Sequence, residues 1–246
     1  MVYCQIQNFP KFKLSMLSSI FLVGCINSLN LDDQSYDKIL MTVFEMISKL
    51  RQDSSQPFEV NLLFFAGDTP AMQSMGGFIE SVGSANYPCR ECKTSKAEIR
   101  SILNENQCQR RNRKETIETA KKIVNKQSIE GVKRYSSLWR YDFFNPIEMT
   151  PQDPMHVILE GIGRKIIMYY FSIWIGTKRT DIDELNSRIN TFKYGHLHMK
   201  NKLKPMRESD LDKNELVITA SQMKTLLLLF PFIFFDIVDT KSQDYK

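Results

Sequence analysis

The sequence predicts a mostly α-helical protein with a small α/β portion. Apolar residues recur at intervals of three and four through most of the chain, which is typical of helices. One short apolar run, over about residues 58–66, has the length and composition of a buried strand. The hydrophobic fraction of 42% and the aromatic fraction of 11% exclude a disordered chain and are enough for a packed core.

The first region of the chain, residues 12–52, is predicted to be helical. Apolar residues have helical spacing over 14–23, and they have it again over 39–50 after a polar break at 30–33. We therefore expect two helices before the first strand.

A polar linker, residues 52–57, leads into the predicted strand. The strand ends in Ala-Gly-Asp, so that Asp68 stands at its exit. A short helix is expected over 70–80, because Pro70 is tolerated in a first helical turn. A sheet needs neighbouring strands, and we expect the partners of this strand to lie outside the chain.

The remainder of the chain is predicted to be helical apart from an aromatic segment and a basic loop. A charged helical stretch, 95–127, precedes an irregular, proline-rich aromatic segment, 135–153. The aromatic side chains of that segment suit either stacking on nucleic-acid bases or packing in a core. Further helices are predicted over residues 155–175, 181–192 and 217–236.

The distribution of charge along the chain indicates nucleic-acid binding more clearly than the net charge does. The net charge of +5 is a mild excess, but the segment 90–134 is strongly basic. Such a segment is suited to neutralising phosphate groups of DNA, and the alternative is an ordinary solvated helix face. The candidate DNA-binding side chains are Arg110, Arg111, Arg113, Lys114, Lys121 and Lys122.

Cysteine content and hydropathy indicate the cellular location of the protein. The five cysteines are irregularly spaced and odd in number, which argues against a disulfide-bonded secreted domain and predicts an intracellular protein. The apolar stretch 225–238 is interrupted by Pro231 and is shorter than the roughly 20 residues that a membrane span needs. The sequence therefore predicts no membrane partner, and it leaves the oligomeric state open.

Asp68 is the first candidate catalytic residue. Carboxylates at the ends of adjacent strands hold Mg²⁺ or Mn²⁺ in two-metal phosphoryl-transfer sites. The alternative is structural, because an aspartate directly before Thr69 and Pro70 is a good helix N-cap.

Cys89 and Cys92 form a Cys-x-x-Cys pair, which has the spacing of half a zinc site. A complete tetrahedral site needs two more ligands. The alternatives are two reduced thiols or a half-site completed by histidines outside the chain.

His156 and Glu160 are four residues apart on a predicted helix and therefore share one face. The pair suits metal binding or acid–base chemistry. The alternative is a helix start in which Asp153 is the cap and the His–Glu contact orients the helix.

The sequence lacks the motifs of several common enzyme classes. It contains no glycine-rich phosphate loop, no nucleotide-binding fingerprint and no Ser-His-Asp arrangement with recognisable spacing. Kinase, dehydrogenase and ordinary hydrolase functions therefore find no support.

Several segments, in this order, resemble transposases of animal CACTA-like elements, which are relatives of Transib transposases and of the V(D)J recombinase core. The segments that resemble their central block are residues 65–68, 76–81 and 87–92. Residues 153–161 resemble their Asp-x-Met-His and Leu-Glu-Gly block. The segments that resemble the following helical stretch are residues 189–192, 219–223 and 229–231.

This resemblance implies an RNase H-like catalytic core with three acidic residues, interrupted by an all-helical insertion. By resemblance, Asp68 is the second acid, Cys89 and Cys92 are half of a structural zinc site, and Glu160 is a weaker candidate for the third acid. The first aspartate, the zinc histidines and the final glutamate are expected outside this chain. Because one carboxylate cannot organise two metal ions, Mg²⁺ or Mn²⁺ is expected only where the full site exists.

Three segments follow from this interpretation. Residues 1–96 are a partial RNase H-like core with the cysteine half-site, 97–152 are a basic helical and aromatic connection, and 153–246 are the helical insertion. The predicted function is that of a nuclear, DNA-binding remnant of a cut-and-paste DDE transposase that is inactive alone. The alternative is a domesticated nucleic-acid-binding or protein-interaction helical module without an enzymatic role.

Overall fold

A computed structural model describes residues 2–5, 10–11, 16, 18, 20–24, 33–55, 57, 59–125, 127–213 and 216–238. It consists of two compact units, residues 1–151 and 152–246. Unit 2 is mainly helical, unit 1 combines shorter helices with much irregular chain, and the described sheet has two strands, so the prediction of a mostly α-helical protein is confirmed for the described residues as a whole. In the described part of the chain, no helix has the length and hydropathy needed to cross a membrane.

The two strands lie in unit 1. Strand β1 (Val2–Gln5) pairs antiparallel with β2 (Ile20–Gly24). The helix predicted over 14–23 is therefore wrong over its second half, and its positions Leu14 and Leu17 lie outside the described residues. A short apolar run does not distinguish a helix from a strand, and here pairing with β1 decides.

Helix α1 (Asp33–Gln52) is confirmed, but the strand predicted after it is not. Residues 59–68 have no regular secondary structure, and the Phe65 N–H donates a hydrogen bond to the Met149 carbonyl at 2.7 Å. Leu62 and Phe65 pack against the core, whereas Leu63 and Phe64 are exposed. Residues 59–68 therefore contribute apolar side chains to the core of unit 1 although their backbone forms neither a helix nor a strand.

The short helix α2 (Thr69–Gly76) is confirmed and ends earlier than predicted. It ends because Gly77 adopts a left-handed conformation with φ of 76°, and its N–H bonds the carbonyl oxygens of Gln73 and Ser74. A Cβ at Gly77 would lie 2.2 Å from the Arg134 carbonyl oxygen, so only glycine fits this close backbone contact.

The charged stretch 95–127 is less helical than predicted. It contains a 3₁₀ turn (Glu105–Gln107) and helix α3 (Arg113–Lys121). Helix α3 begins where it does because the Asn112 side chain accepts hydrogen bonds from the first free N–H groups of the helix.

The aromatic segment is irregular, as predicted, apart from a 3₁₀ turn (Ser137–Arg140). Trp139, Tyr141 and Phe144 are buried, and the ring of Phe144 meets that of Phe44 from α1 edge-on at 4.7 Å. These rings pack in the core of unit 1, so of the two alternatives the packing one is correct for them.

Unit 2 is helical, and its three predicted helices are confirmed. The first begins as a π-helix (Met155–Ile162) and continues as α4 (Gly163–Gly176). The elements that follow are α5 (Ile182–Thr191), α6 (Gly195–His198), a 3₁₀ turn (Met199–Asn201), α7 (Glu208–Asp212) and α8 (Ala220–Ile233). Phe171, Trp174 and Phe234 lie at the centre of this unit's core.

Candidate functional site

Asp68 stands between the irregular segment 59–68 and helix α2. Its side chain is exposed, and one carboxylate oxygen accepts a hydrogen bond from the Ala71 N–H at 2.9 Å. This is the N-cap contact that the sequence offered as the structural alternative. In the described ranges, no three His, Cys, Asp or Glu side chains are placed to share one ion.

Two substitutions of Asp68 distinguish the contribution of its hydrogen bond from that of its negative charge. Asp68→Ala should destabilise α2 by about 1 kcal/mol, whereas Asp68→Asn should cost only a few tenths, because asparagine caps equally well. Amide hydrogen exchange of α2 in the full chain measures both values. Equal losses for the two variants would show that the carboxylate charge, not the bond to Ala71, stabilises this turn.

Cys89 and Cys92 lie in a loop between α2 and α3. The Cys89 Sγ accepts a hydrogen bond from the Glu91 N–H at 3.3 Å, and the Cys92 Sγ is hydrogen-bonded to the Thr94 hydroxyl at 3.3 Å. Burial raises the pKa of the Cys89 thiol. Burial also acts to raise the pKa of Cys92, but hydrogen bonds with Thr94 and with neighbouring thiols outweigh it, and that pKa is lowered.

A third cysteine, Cys108, joins this pair and is not among the predicted zinc ligands. The Lys93 N–H bonds the Gln109 carbonyl and the Arg111 N–H bonds the Glu91 carbonyl, each at 2.9 Å. These bonds hold the two segments antiparallel and place the thiol of Cys108 where it interacts with that of Cys92. Fifteen residues separate Cys92 from Cys108, which is within the range of known zinc motifs, but the contact between the two thiols follows from the pairing of the segments.

Three arginines of the basic segment, Arg90, Arg111 and Arg113, stabilise the fold of unit 1 through hydrogen bonds to backbone carbonyl groups. Arg90 is 2% exposed and donates to the carbonyl oxygens of Thr150 and Pro151. Arg111 is also buried, which lowers its pKa, and it donates to the Cys89 carbonyl at 3.1 Å. Arg113 donates to the Trp139 carbonyl at 2.6 Å and so ties α3 to the aromatic segment.

The remaining predicted DNA-binding residues are exposed. Arg110 forms ion pairs with Glu91 at 3.1 Å and with Glu105 at 2.6 Å. The exposed lysines of helix α3 and its C-terminal end are Lys114, Lys121 and Lys122. A cleft of about 470 Å³ beside Arg110 is lined by both basic and acidic residues, so its charge does not select an anion.

His156 and Glu160 lie in the π-helix of unit 2, whereas Asp68 belongs to unit 1. The His156 Nδ1 is hydrogen-bonded to the Asp153 carboxylate, and its Nε2 is 3.8 Å from a Glu160 carboxylate oxygen. The bond to His156 lowers the pKa of Asp153, whose other oxygen accepts from the Met155 N–H at 2.9 Å. These are the helix-orienting contacts that the sequence offered as the alternative to chemistry.

Comparison with protein-family models, with curated proteins and with solved structures finds no match for the chain. The resemblance to CACTA-like transposases therefore stays a prediction.

Proposed function

We propose that the chain is a transposase-derived protein that binds nucleic acid and does not cut it unaided. The observation that supports binding is the lysine face of helix α3. Lys114 and Lys121 are separated by seven residues, two turns of helix, so they project from the same side about 10 Å apart along the axis. Lys122 follows directly, and all three side chains are exposed.

This face is suited to a phosphate backbone more than to base edges. Lysine presents a flexible point charge, whereas the planar forks that read bases belong to arginines. In this chain, Arg90, Arg111 and Arg113 are directed at carbonyl groups of their own fold. We therefore expect binding that is weak, independent of sequence and strongly dependent on salt.

The non-catalytic half of the proposal rests on the role of Asp68 as a helix cap. An RNase H-like origin of unit 1 and a helical insertion in unit 2 belong to the same proposal, and the order of the motifs supports them. A nuclear location follows from DNA as the partner.

Fluorescence anisotropy with a labelled random-sequence duplex tests this proposal. Each phosphate contact contributes about −0.9 to the slope of log affinity against log salt concentration, so three lysines predict a slope of roughly −3. The variant with Lys114, Lys121 and Lys122 replaced by glutamine should lose most of the slope and of the affinity. The matched control replaces three exposed lysines elsewhere in unit 1, Lys11, Lys38 and Lys49.

An unchanged slope in the α3 variant, or an equal loss in the control, would overturn the assignment of this face. Incubation of the same duplex with the full chain and Mg²⁺ tests the proposal that the chain does not cut nucleic acid unaided. Cleavage that Asp68→Asn abolishes would show that Asp68 is a metal ligand after all, since asparagine preserves the cap.

A further inference from the structure

The first helix of unit 2 carries a stripe of exposed apolar side chains. Most residues of the π-helix (Met155–Ile162) are apolar, yet none of its eight residues, all of which the structure describes, is buried. The stripe begins there and continues into α4. Its members, each between 44% and 57% exposed, are Val157, Ile158, Ile162, Ile166 and Tyr169. Single exposed apolar residues are ordinary on a protein surface, whereas a contiguous apolar patch is often an interaction site.

In α4, the stripe lies on the side of the helix that faces away from the core. Ile162, Ile166 and Tyr169 follow one another at intervals of four and three residues, so their side chains share one face. Ile167 and Phe171 are buried in the core of unit 2. Packing of the core-facing side of α4 therefore leaves the stripe uncovered.

The π-helix extends the same stripe by one turn. The Gly163 N–H bonds the Ile158 carbonyl, five residues earlier, so a turn here contains more residues than an α-helical turn. Val157 and Ile158 precede Ile162 by five and four residues, which is about one such turn, and they therefore lie on the same side as Ile162. Leu159, by contrast, packs against the core.

The area of the stripe is enough for a specific interface. About half of each of the five side chains is uncovered, which gives roughly 450 Å², within the ~300–600 Å² of the largest and often functional patch on a monomer. Two copies that cover each other's stripes would bury about 900 Å², close to the ~1,000 Å² expected of a biological interface. With the contribution of rim residues, we expect association at the weak end of such interfaces.

The order of residues along the stripe fits a second copy of the chain. All five side chains are apolar and uncharged, so the stripe does not suit a phosphate backbone. Ile162 and Ile166 lie in the middle, with Ile158 before them and Tyr169 after them at similar spacing. A twofold axis between Ile162 and Ile166 therefore places Ile162 opposite the partner's Ile166, and Ile158 opposite the partner's Tyr169.

We propose that the chain forms a homodimer through this stripe, with the two helices packed antiparallel about the twofold axis. The dimer covers the apolar surface that the single chain exposes, which accounts for an apolar π-helix without a buried residue among its eight. The contact belongs to unit 2 and is independent of the proposed binding of nucleic acid, so the dimer forms without nucleic acid.

Sedimentation velocity of the full chain over a range of concentrations tests the dimer. We expect Ile162→Asp to raise the dimer dissociation constant by about 100-fold or more, because the twofold axis places both new carboxylates in one apolar contact. Leu228→Asp is the matched control, since Leu228 is 53% exposed on α8, outside the stripe. That variant should leave the dissociation constant unchanged, and circular dichroism verifies that both variants keep their helices.

Three results would contradict the dimer. The first is a chain that stays monomeric at every concentration, and the second is an equal loss of association in Ile162→Asp and Leu228→Asp. The third is a monomeric chain that floats with phosphatidylcholine vesicles and loses this binding in Ile162→Asp, which would assign the stripe to a lipid surface.

Thiol cross-linking tests the antiparallel order without a charged substitution. Ile158→Cys and Tyr169→Cys are prepared separately, mixed and treated with a short bismaleimide, and the linked peptides are identified by mass spectrometry. We expect links between positions 158 and 169 of different chains in the mixture, and few links between identical positions in either variant alone. Links mainly between identical positions, or at neither position, would show that the stripes do not pair as proposed.

Discussion

Replacing Asp37 with alanine is expected to lower the free energy of unfolding of unit 1 by about 3–5 kcal/mol. One Asp37 carboxylate oxygen accepts from the Arg134 guanidinium at 2.7 Å and from the Ser137 N–H at 3.1 Å. Both members of the ion pair are shielded, with side-chain exposures of 7% for Asp37 and 19% for Arg134. Removing the carboxylate leaves the guanidinium buried without its counter-charge, which costs more than the contact itself.

The same helix provides a matched control. Glu45, further along α1, pairs with Arg140 at 2.8 Å, which is nearly the same distance, but the two side chains are 51% and 46% exposed. Exposed pairs of this kind contribute at most about 1 kcal/mol, and salt screens them. Glu45→Ala should therefore cost little, and its cost should vanish at high salt while that of Asp37→Ala persists.

Urea denaturation of the full chain measures both effects. In a Trp174→Phe background, tryptophan fluorescence comes from Trp139 alone, which is buried in unit 1. If Asp37→Ala and Glu45→Ala prove equally destabilising, burial is not what makes the first pair important.

Helices of this chain were predictable because their apolar faces repeat over long stretches. Helix α1 is confirmed over most of its length from spacing alone. Two of the failures in unit 1 have a common cause, since β2 and the segment 59–68 are both short apolar runs. Runs of this length fit a helix and a strand alike, even where the spacing looks helical as it does over residues 14–23, and β2 is a strand because β1 is available to pair with it.

The candidate sites were less predictable than the helices, for a related reason. A run of basic residues looks uniform in sequence, yet Arg111 is buried against backbone carbonyls while Lys114, three residues later, faces solvent. Cys108 likewise gains its meaning from the pairing of its segment with that of Cys92. Burial and pairing are tertiary properties, so residue type and spacing alone do not contain them.

Gly163 has a backbone role that follows from the π-helix. At the junction with α4, the Gly163 N–H bonds the Ile158 carbonyl, five residues earlier. A Cβ at Gly163 would lie 2.6 Å from that carbonyl oxygen and 3.3 Å from the Leu227 side chain. The wider turn therefore depends on glycine, because a side chain would have to displace backbone and not merely the end of a flexible neighbour.

Gly163→Ala is accordingly expected to destabilise unit 2 by about 2–3 kcal/mol, as overpacking of a rigid site does. Gly176→Ala is the matched control, since Gly176 ends the same helix and has open space around it. That variant should be neutral or stabilise by up to about 1 kcal/mol, because alanine favours helix more than glycine does. Native-state hydrogen exchange of α4 measures both changes. A gain of stability in both Gly163→Ala and Gly176→Ala would mean that the π-helix converts to an α-helix without cost. Gly163 would then not be required for the wider π-helical turn.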